Sequence, residues 1–210
     1  MSGQRIAVVM PVRNAEGTIR AALEAVFASS VRPAEVVVVD DSCTDRSIEI
    51  ARGFPVKVVA SVPPGGVAAA RNTGASAASA GILFFLDADV VLDPGAFEAA
   101  IGALADPGVS VAIGLQSARA AFPGVATLYK NYWLHYTYAR RAARVAVLYS
   151  SAVAIRREPF EKVGGFDPNY RSPNIEDSEL GKRITEAGYP VAVVPEMGFL
   201  HVKRYTAAGM

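Results

Sequence analysis

The stretch Gly81-Ile82-Leu83-Phe84-Phe85-Leu86-Asp87-Ala88-Asp89 constrains this chain more than any other. Five consecutive large apolar residues, Ile82 to Leu86, fit a strand buried on both faces, the pattern of a parallel sheet. The run then stops in two carboxylates separated by one small residue. An unpaired buried carboxylate is costly, so Asp87 and Asp89 belong at the strand's end, in a crevice rather than in the core. In open α/β sheets the crevice at the carboxyl ends of the strands is where ligands bind. Hard oxygen ligands there suit Mg2+ or Mn2+ bridging to a substrate's phosphates. The same residues also fit a plain strand-end turn that caps a helix, so the rest of the chain has to decide.

Similar strands precede this one. Residues 6–10 close at Pro11, residues 36–39 end in a second acidic pair, Asp40-Asp41, and residues 56–59 carry Lys57, which suggests an edge. Between them lie three helical patterns. One opens at Thr18 with Ile19, Ala22, Leu23, Val26 and Phe27 on one face, and one is capped by Thr44 or Asp45 and carries Ile48 and Ile50. The third is an alanine-rich run over about 67–80 that holds Arg71 and Asn72. Strands alternating with helices predict right-handed βαβ units, hence an α/β fold with a mostly parallel central sheet flanked by helices. A helix over 96–104, strands at 109–114, 152–155 and 191–194, a turn at 164–167 and a helix from Glu176 to near Gly188 complete the pattern.

Between Asp106 and Glu158 there is no acidic residue but seven basic ones: Arg119, Lys130, Arg140, Arg141, Arg144, Arg156 and Arg157. Tyr129, Tyr132, Trp133 and Tyr136 recur at the spacing of one helix face. Two readings stay open. The helix packs on the sheet with a solvated basic side, or it forms an acceptor-side surface that meets lipid headgroups or an anionic acceptor.

Composition removes several classes. With 51% hydrophobic residues the chain of 210 can bury one sizeable core, and a formal charge of +1 gives no reason to expect nucleic acid. A single cysteine, Cys43, excludes an internal disulfide and suits a reducing, cytoplasmic compartment. No apolar run is long enough to span a membrane, and residues 1–5 are too short for a signal peptide. The expectation is a soluble or peripheral protein at the inner face of a membrane, with continuation past Met210 into membrane segments left open.

Two strands ending in acidic pairs are harder to dismiss than one. A carboxylate of Asp40-Asp41 can accept hydrogen bonds from a nucleobase or ribose, and one of Asp87-Ala88-Asp89 can hold a metal. Folding needs a carboxylate at neither position, since serine or asparagine caps equally well. Glu176, Asp177 and Glu179, by contrast, have an ordinary explanation in the helix dipole. Taken with Met10-Pro11-Val12-Arg13-Asn14, Val39-Asp40-Asp41-Ser42-Cys43-Thr44-Asp45 and Ala70-Arg71-Asn72-Thr73-Gly74, these residues resemble family-2 glycosyltransferases of the GT-A fold. Phe85-Leu86-Asp87-Ala88-Asp89, Gly164-Gly165-Phe166-Asp167, and Glu176-Asp177 with Leu180 and Arg183 extend the resemblance over nearly the whole chain.

The resemblance implies one GT-A catalytic domain over 1–210, with a nucleotide-binding half at 1–115 and an acceptor-binding half carrying the base at 116–210. Pro11, Arg13 and Asp41 would line the nucleotide pocket, Arg71 would position the nucleotide or its phosphates, and Asp87 would contact the ribose. Asp89 would hold Mn2+ or Mg2+, and Asp177 would be the general base, supported by Glu176. His201 would be a further metal ligand, against the alternative of an ordinary partly buried histidine, and Lys203 or Arg204 would hold the diphosphate. His135 is expected to pack or to face the interface. Cys43 departs from the small or polar residue expected in its loop, as a packed thiol that would sensitise the site to thiol reagents. The implied reaction moves a sugar from a nucleoside-diphosphate sugar to a carbohydrate or lipid-linked acceptor hydroxyl, with inversion known only by family analogy. Two alternatives remain. A sugar-nucleotide nucleotidyltransferase should carry a glycine-rich basic loop after the first strand, which Pro11-Val12-Arg13-Asn14 is not, and a silent nucleotide-sugar binding module has no need of Asp177.

Overall fold

Apolar runs with no polar interruption become the central strands. The computed structural model describes residues 5–140, 148–170 and 175–206. In chain order it contains β1 (Ile6–Val12), α1 (Ile19–Ala28), β2 (Glu35–Asp40), α2 (Ser47–Ala51), β3 (Lys57–Ala60), α3 (Val67–Ala77), β4 (Ile82–Leu86) and β5 (Val90–Leu92). There follow α4 (Ala96–Ala105), β6 (Val111–Gln116), α5 (Val125–Ala139), β7 (Ala152–Arg156), α6 (Arg157–Lys162), α7 (Glu176–Glu186) and β8 (Val191–His201). Arg141, Arg144 and the lead-in Ser172-Pro173-Asn174 lie outside the described residues.

The eight strands of the described residues form one sheet in the order β3-β2-β1-β4-β7-β6-β8-β5. Pairings among β1 to β4 are parallel, as the βαβ pattern predicts, and β6 runs parallel to β8. The other three are antiparallel: β7 with both β4 and β6, and β5 with β8. The reason for the last is visible in the chain. Only Asp87, Ala88 and Asp89 separate β4 from β5, too few for a parallel crossover, which needs about a dozen residues.

This short link also dictates the shape of the sheet. Four strand spacings of about 4.8 Å separate β4 from β5 along the hydrogen-bonding direction. A flat sheet would put them about 19 Å apart, whereas four residue steps reach at most about 14 Å. The sheet therefore curls, and Asp87-Ala88-Asp89 bridges the opening of the curl. The link is tied at both ends, Asp87 N donating to Ser151 O (3.1 Å) and Val202 N to Asp89 O (2.7 Å).

Both faces are covered. Alternate residues Val8, Met10, Val38, Phe84 and Leu86 join α1 and α4 in one core, and Val9, Val37, Val39, Leu83 and Phe85 join α3, α6 and α7 in the other. Helix α3 sits so close that a Cβ on Gly74 would come within 2.3 Å of a Val9 methyl, so glycine here sets the depth at which Arg71 and Asn72 enter the structure.

Several sequence expectations shift. Helix α2 begins only at Ser47, whose N–H is taken by Asp45 Oδ1 (3.0 Å), while Thr44 bonds Asn14 instead. Helix α3 stops at Ala77, and β5 and α6 were too short to announce themselves. Strand β8 runs to His201 because a register shift opposite Gly114 and Leu115 absorbs Pro195 and its neighbours, which break the apolar pattern.

The acid-free segment is not one basic surface. Arg156 donates to the carbonyls of Leu104, Asp106 and Val109, and Arg157 to those of Ala75, Ala78 and Ala80. Both guanidiniums thus finish the C-terminal ends of α4 and α3, where carbonyls lack partners and the dipole favours a cation. Helix α5 is anchored by Thr127, Asn131 and Leu134, and its ring-bearing face points outward. Of nine exposed large hydrophobic side chains among the described residues, six lie on this one helix: Val125, Leu128, Tyr129, Tyr132, Trp133 and Tyr136. Lys130 lies over the Trp133 ring and Arg140 over that of Tyr136. Helix α5 thus packs on the sheet, as the first reading has it, but through Thr127, Asn131 and Leu134 rather than through its aromatic face, which is exposed.

Candidate active site

The curl encloses a cleft of about 1130 Å³ whose lining includes every residue assigned a catalytic or binding part from the sequence: Pro11, Arg13, Asp41, Arg71, Asp87, Asp89, Glu176, Asp177, His201, Lys203 and Arg204. Their partners differ widely.

At the end of β2 the two acids divide. Asp40 Oδ1 accepts from Cys43 N (2.8 Å) and closes a turn, leaving Asp41 to face the cleft. Asp41 accepts from Gly66 N (2.9 Å) and lies 3.7 Å from Arg13 Nη1. Gly66 sits at φ +89°, where a side chain would be strained, and that backbone turns its N–H toward Asp41. The Cys43 thiol donates to Val12 O (3.3 Å), and burial raises its pKa. A raised pKa leaves less of the reactive thiolate, and Cys43 is not among the residues that line the cleft.

Arg71 is the hinge of the site. It is 3% exposed and donates from Nη2 to Asp87 Oδ1 and from Nη1 to Glu176 Oε1, both at 2.8 Å, with its guanidinium over the Phe166 ring. Burial alone would lower its pKa, but Asp87 and Glu176 outweigh burial and raise it. One N–H of each terminal nitrogen is thus given to a carboxylate. Asn72, the next residue, grips the following turn by donating to Phe166 O (2.7 Å) and accepting from Phe166 N (3.0 Å). These contacts link the Arg71-Asn72 motif physically to Gly164-Gly165-Phe166-Asp167.

Asp177 heads α7 beside Glu176. Its Oδ1 accepts from Ser178 N (2.7 Å), and its Oδ2 is approached by Ser150 N and Oγ at 3.4 and 3.3 Å. Burial, and then the charge of Glu176, raise its pKa. Glu179 plays no part in the cleft. It forms a two-pronged pair with Arg183, which caps the carbonyls of Val163 and Gly165.

Pairing Val90 with His201 across β5 and β8 carries the histidine to the neighbouring Asp89. His201 Nε2 lies 3.1 Å from Asp89 Oδ2. Burial pushes the Asp89 carboxyl up, but the bond and charge of His201, with Lys203, more than offset it and leave its pKa lowered. Among the described residues no third His, Cys, Asp or Glu converges on this pair. A carboxylate and an imidazole nitrogen opening onto a cleft fit a cation that keeps its remaining positions for substrate phosphates, which is how Mg2+ and Mn2+ are commonly held. Lys203 and Arg204 line the same cleft.

Tyr149, Ser150, Ser151 and Lys130 also line the cleft and were not foreseen. Ser150 and Ser151 stand just ahead of β7, where nothing periodic marks them. Lys130 had been seen only as one cation of many.

A curled mixed sheet with acids at the ends of β2 and β4 defines a GT-A nucleotide-diphospho-sugar transferase fold. Residues 7–164 match the model of glycosyl transferase family 2, and residues 135–207 match that of the N-terminal domain of galactosyltransferase. The chain belongs to glycosyl transferase family 2. It is similar to a pre-mycofactocin glycosyltransferase of Mycobacterium tuberculosis, 30% identical over 207 residues covering 92% of this chain and 43% of the relative. Among solved structures, the mannosyltransferase PcManGT of Pyrobaculum calidifontis, in complex with GDP-Man and Mn2+, aligns over 97% of this chain and 58% of its own at a TM-score of 0.76 and 23% identity. GalNAc-T7 with UDP, GalNAc and Mn2+ aligns over 97% and 44% at 0.76 and 18% identity. The chain thus spans about half the length of the proteins it matches. Among the described residues no helix is long and apolar enough to cross a membrane.

Proposed function

We propose that this chain transfers a sugar from a nucleoside-diphosphate sugar to an acceptor hydroxyl, in a single displacement that inverts the anomeric carbon and is assisted by Mn2+ or Mg2+. The observation that carries the reading is Asp177, a buried carboxylate of raised pKa in the same cleft as Asp41 and the Asp89–His201 pair. A hydroxyl is a poor nucleophile, and a base works best when its pKa moves toward the working pH. The acceptor oxygen forms its bond to the anomeric carbon as its proton passes to Asp177. The bond from that carbon to the diphosphate oxygen breaks, and both its electrons leave with the nucleoside diphosphate. Asp89 and His201 would hold the cation, which would supply Lewis-acid neutralisation of the leaving phosphates.

Residues 1–115 supply the nucleotide side and 116–210 the acceptor side. Pro11, Arg13 and Asp41 hold the base, Asp87 takes the ribose, and Lys203 and Arg204 take the diphosphate. Arg71 acts through Asp87 and Glu176, which it holds in place. Related structures bound to GDP-Man or to UDP with Mn2+ support this donor class. The acceptor is lipid-linked or a growing polysaccharide at the cytoplasmic face of an anionic membrane, met by the outer face of α5. Exposed tyrosines and a tryptophan beside Lys130 and Arg140 support that contact, since such rings suit the headgroup region and each cation there is worth about 1 kcal/mol.

The test is to incubate the protein with a panel of nucleotide sugars and Mn2+, with and without acceptors, and follow nucleoside-diphosphate release. Slow metal-dependent release, stimulated by acceptor, is expected. Metal-independent release overturns the cation's part, pyrophosphate as product favours a nucleotidyltransferase, and binding without turnover favours a silent module.

A further inference from the structure

The two cations assigned to the diphosphate, Lys203 and Arg204, stand on the short segment after β8, and that segment is pinned at both ends. At its start Val202 N donates to Asp89 O (2.7 Å). At its far end the Thr127 hydroxyl of α5 accepts from Tyr205 N (3.2 Å) and donates to Tyr205 O (3.3 Å). A hydroxyl has one proton and two lone pairs, so it serves both backbone groups of one residue at once. Thr127 is 1% exposed, and water does not compete for it.

Between the pins, Lys203 and Arg204 are exposed. Exposed cations on long stems are mobile, and a ligand that orders them binds more weakly for it. Here each rests on a ring. Lys203 Nζ lies 5.7 Å from the centroid of Tyr205, and the Arg204 guanidinium lies 5.2 Å from that of Phe122, just ahead of α5. Both distances are within the range of cation–π attraction. Against the push of burial, the Lys203 charge joins His201 in drawing the Asp89 carboxyl down, so this lysine stands on the cation side of the cleft.

We infer that Thr127 is a positioning residue for the donor: by pinning Tyr205 it sets the ring on which Lys203 rests, so that the segment meets the diphosphate already ordered. The inference deepens the proposed function and rests on its assignment of Lys203 and Arg204. Valine at 127 keeps the buried shape and loses both bonds to Tyr205, whereas serine keeps both.

Ligand-observed NMR titrations with Mg2+ test it, comparing UDP with uridine and GDP with guanosine. Thr127→Val should weaken binding of the diphosphate about tenfold and leave the nucleoside, which Asp41 and Asp87 hold, within about twofold. Thr127→Ser should return the diphosphate to within about twofold of wild type. Lys203→Ala should cost about tenfold in wild type but no more than about threefold in Thr127→Val, where the lysine has already lost its seat. The inference is overturned if Thr127→Val weakens nucleoside and diphosphate equally, or if Lys203→Ala costs the same in both backgrounds. It is overturned alone if Lys203→Ala weakens the diphosphate and Thr127→Val stays within about twofold of wild type. A wild type that binds neither diphosphate, or is indifferent to both Lys203→Ala and Arg204→Ala, overturns the donor-site assignment and this inference with it.

Discussion

Two acidic pairs line the cleft, Asp87 and Asp89 on the link from β4 to β5, and Glu176 and Asp177 at the head of α7. Arg71 takes one acid from each. The acids left over, Asp89 and Asp177, are the same residue type in the same cleft, and both are pushed up by burial. They end on opposite sides of the ordinary value because His201 and Lys203 more than reverse that push at Asp89, whereas nothing beside Asp177 does. At Asp177 the like charge of Glu176 adds to the push, and the N–H donors of Ser178 and Ser150 with the charge of Arg71 offset it only in part. Carboxylates pushed apart in this way take different chemical parts, one held ionised and one able to accept a proton.

The signs of the two shifts give opposite pH dependences. The stability contributed by Asp89, whose pKa is lowered, is present above its unfolded value near 3.9 and is lost as pH falls through the folded one. Asp177 is the reverse. Its contribution is present below the unfolded value and is lost as pH rises through the raised folded one.

The largest expected effect tests the shared partner. Arg71→Met strands Asp87 and Glu176, and the free energy of unfolding, measured by urea titration, should fall by about 3–5 kcal/mol. A loss under about 1 kcal/mol would mean that the two tied acids do not depend on it. Next, Asp177→Asn should cut acceptor transfer by about 10²–10³-fold while leaving stability at neutral pH equal or higher. A drop in stability would move Asp177 into the company of Glu176. In wild type the transfer rate should climb with pH through a value above the usual carboxylate range, and a plateau reached already at pH 4 would contradict the raised pKa. Asp89→Asn should weaken Mn2+ binding in the nucleoside-diphosphate complex about tenfold or more, yet cost no more than about 1 kcal/mol of stability. Equal losses in Asp87→Asn and Asp89→Asn would erase the difference between the two link residues. The smallest effect on the fold belongs to Trp133→Ser and Tyr132→Ser. Stability should stay within about 0.5 kcal/mol while co-sedimentation with anionic liposomes at low salt drops, and undiminished co-sedimentation would remove α5 from the membrane contact.

Much of this was legible in one dimension. The runs at residues 6–10, 36–39 and 82–86 could only be buried strands, and acids ending two of them had to meet at one sheet edge. Other features were not legible, because they depend on partners distant in sequence. Arg156 and Arg157 read as basic surface until α3 and α4 brought carbonyls to them. The aromatic spacing of α5 marked a face without saying whether it pointed in or out. His201 was a residue after a strand until the register of β5 against β8 set it beside Asp89.

By itself, then, the sequence determined the central strands, the acids that close two of them, and through those the family and the place of the cleft. Burial of apolar runs and the cost of burying charge act locally, so composition and order suffice for them. Only the tertiary structure decided which acid does what. That depends on whether a guanidinium, an imidazole or a hydroxyl lies within about 3 Å, a distance set by the curl that the link Asp87-Ala88-Asp89 imposes on the sheet.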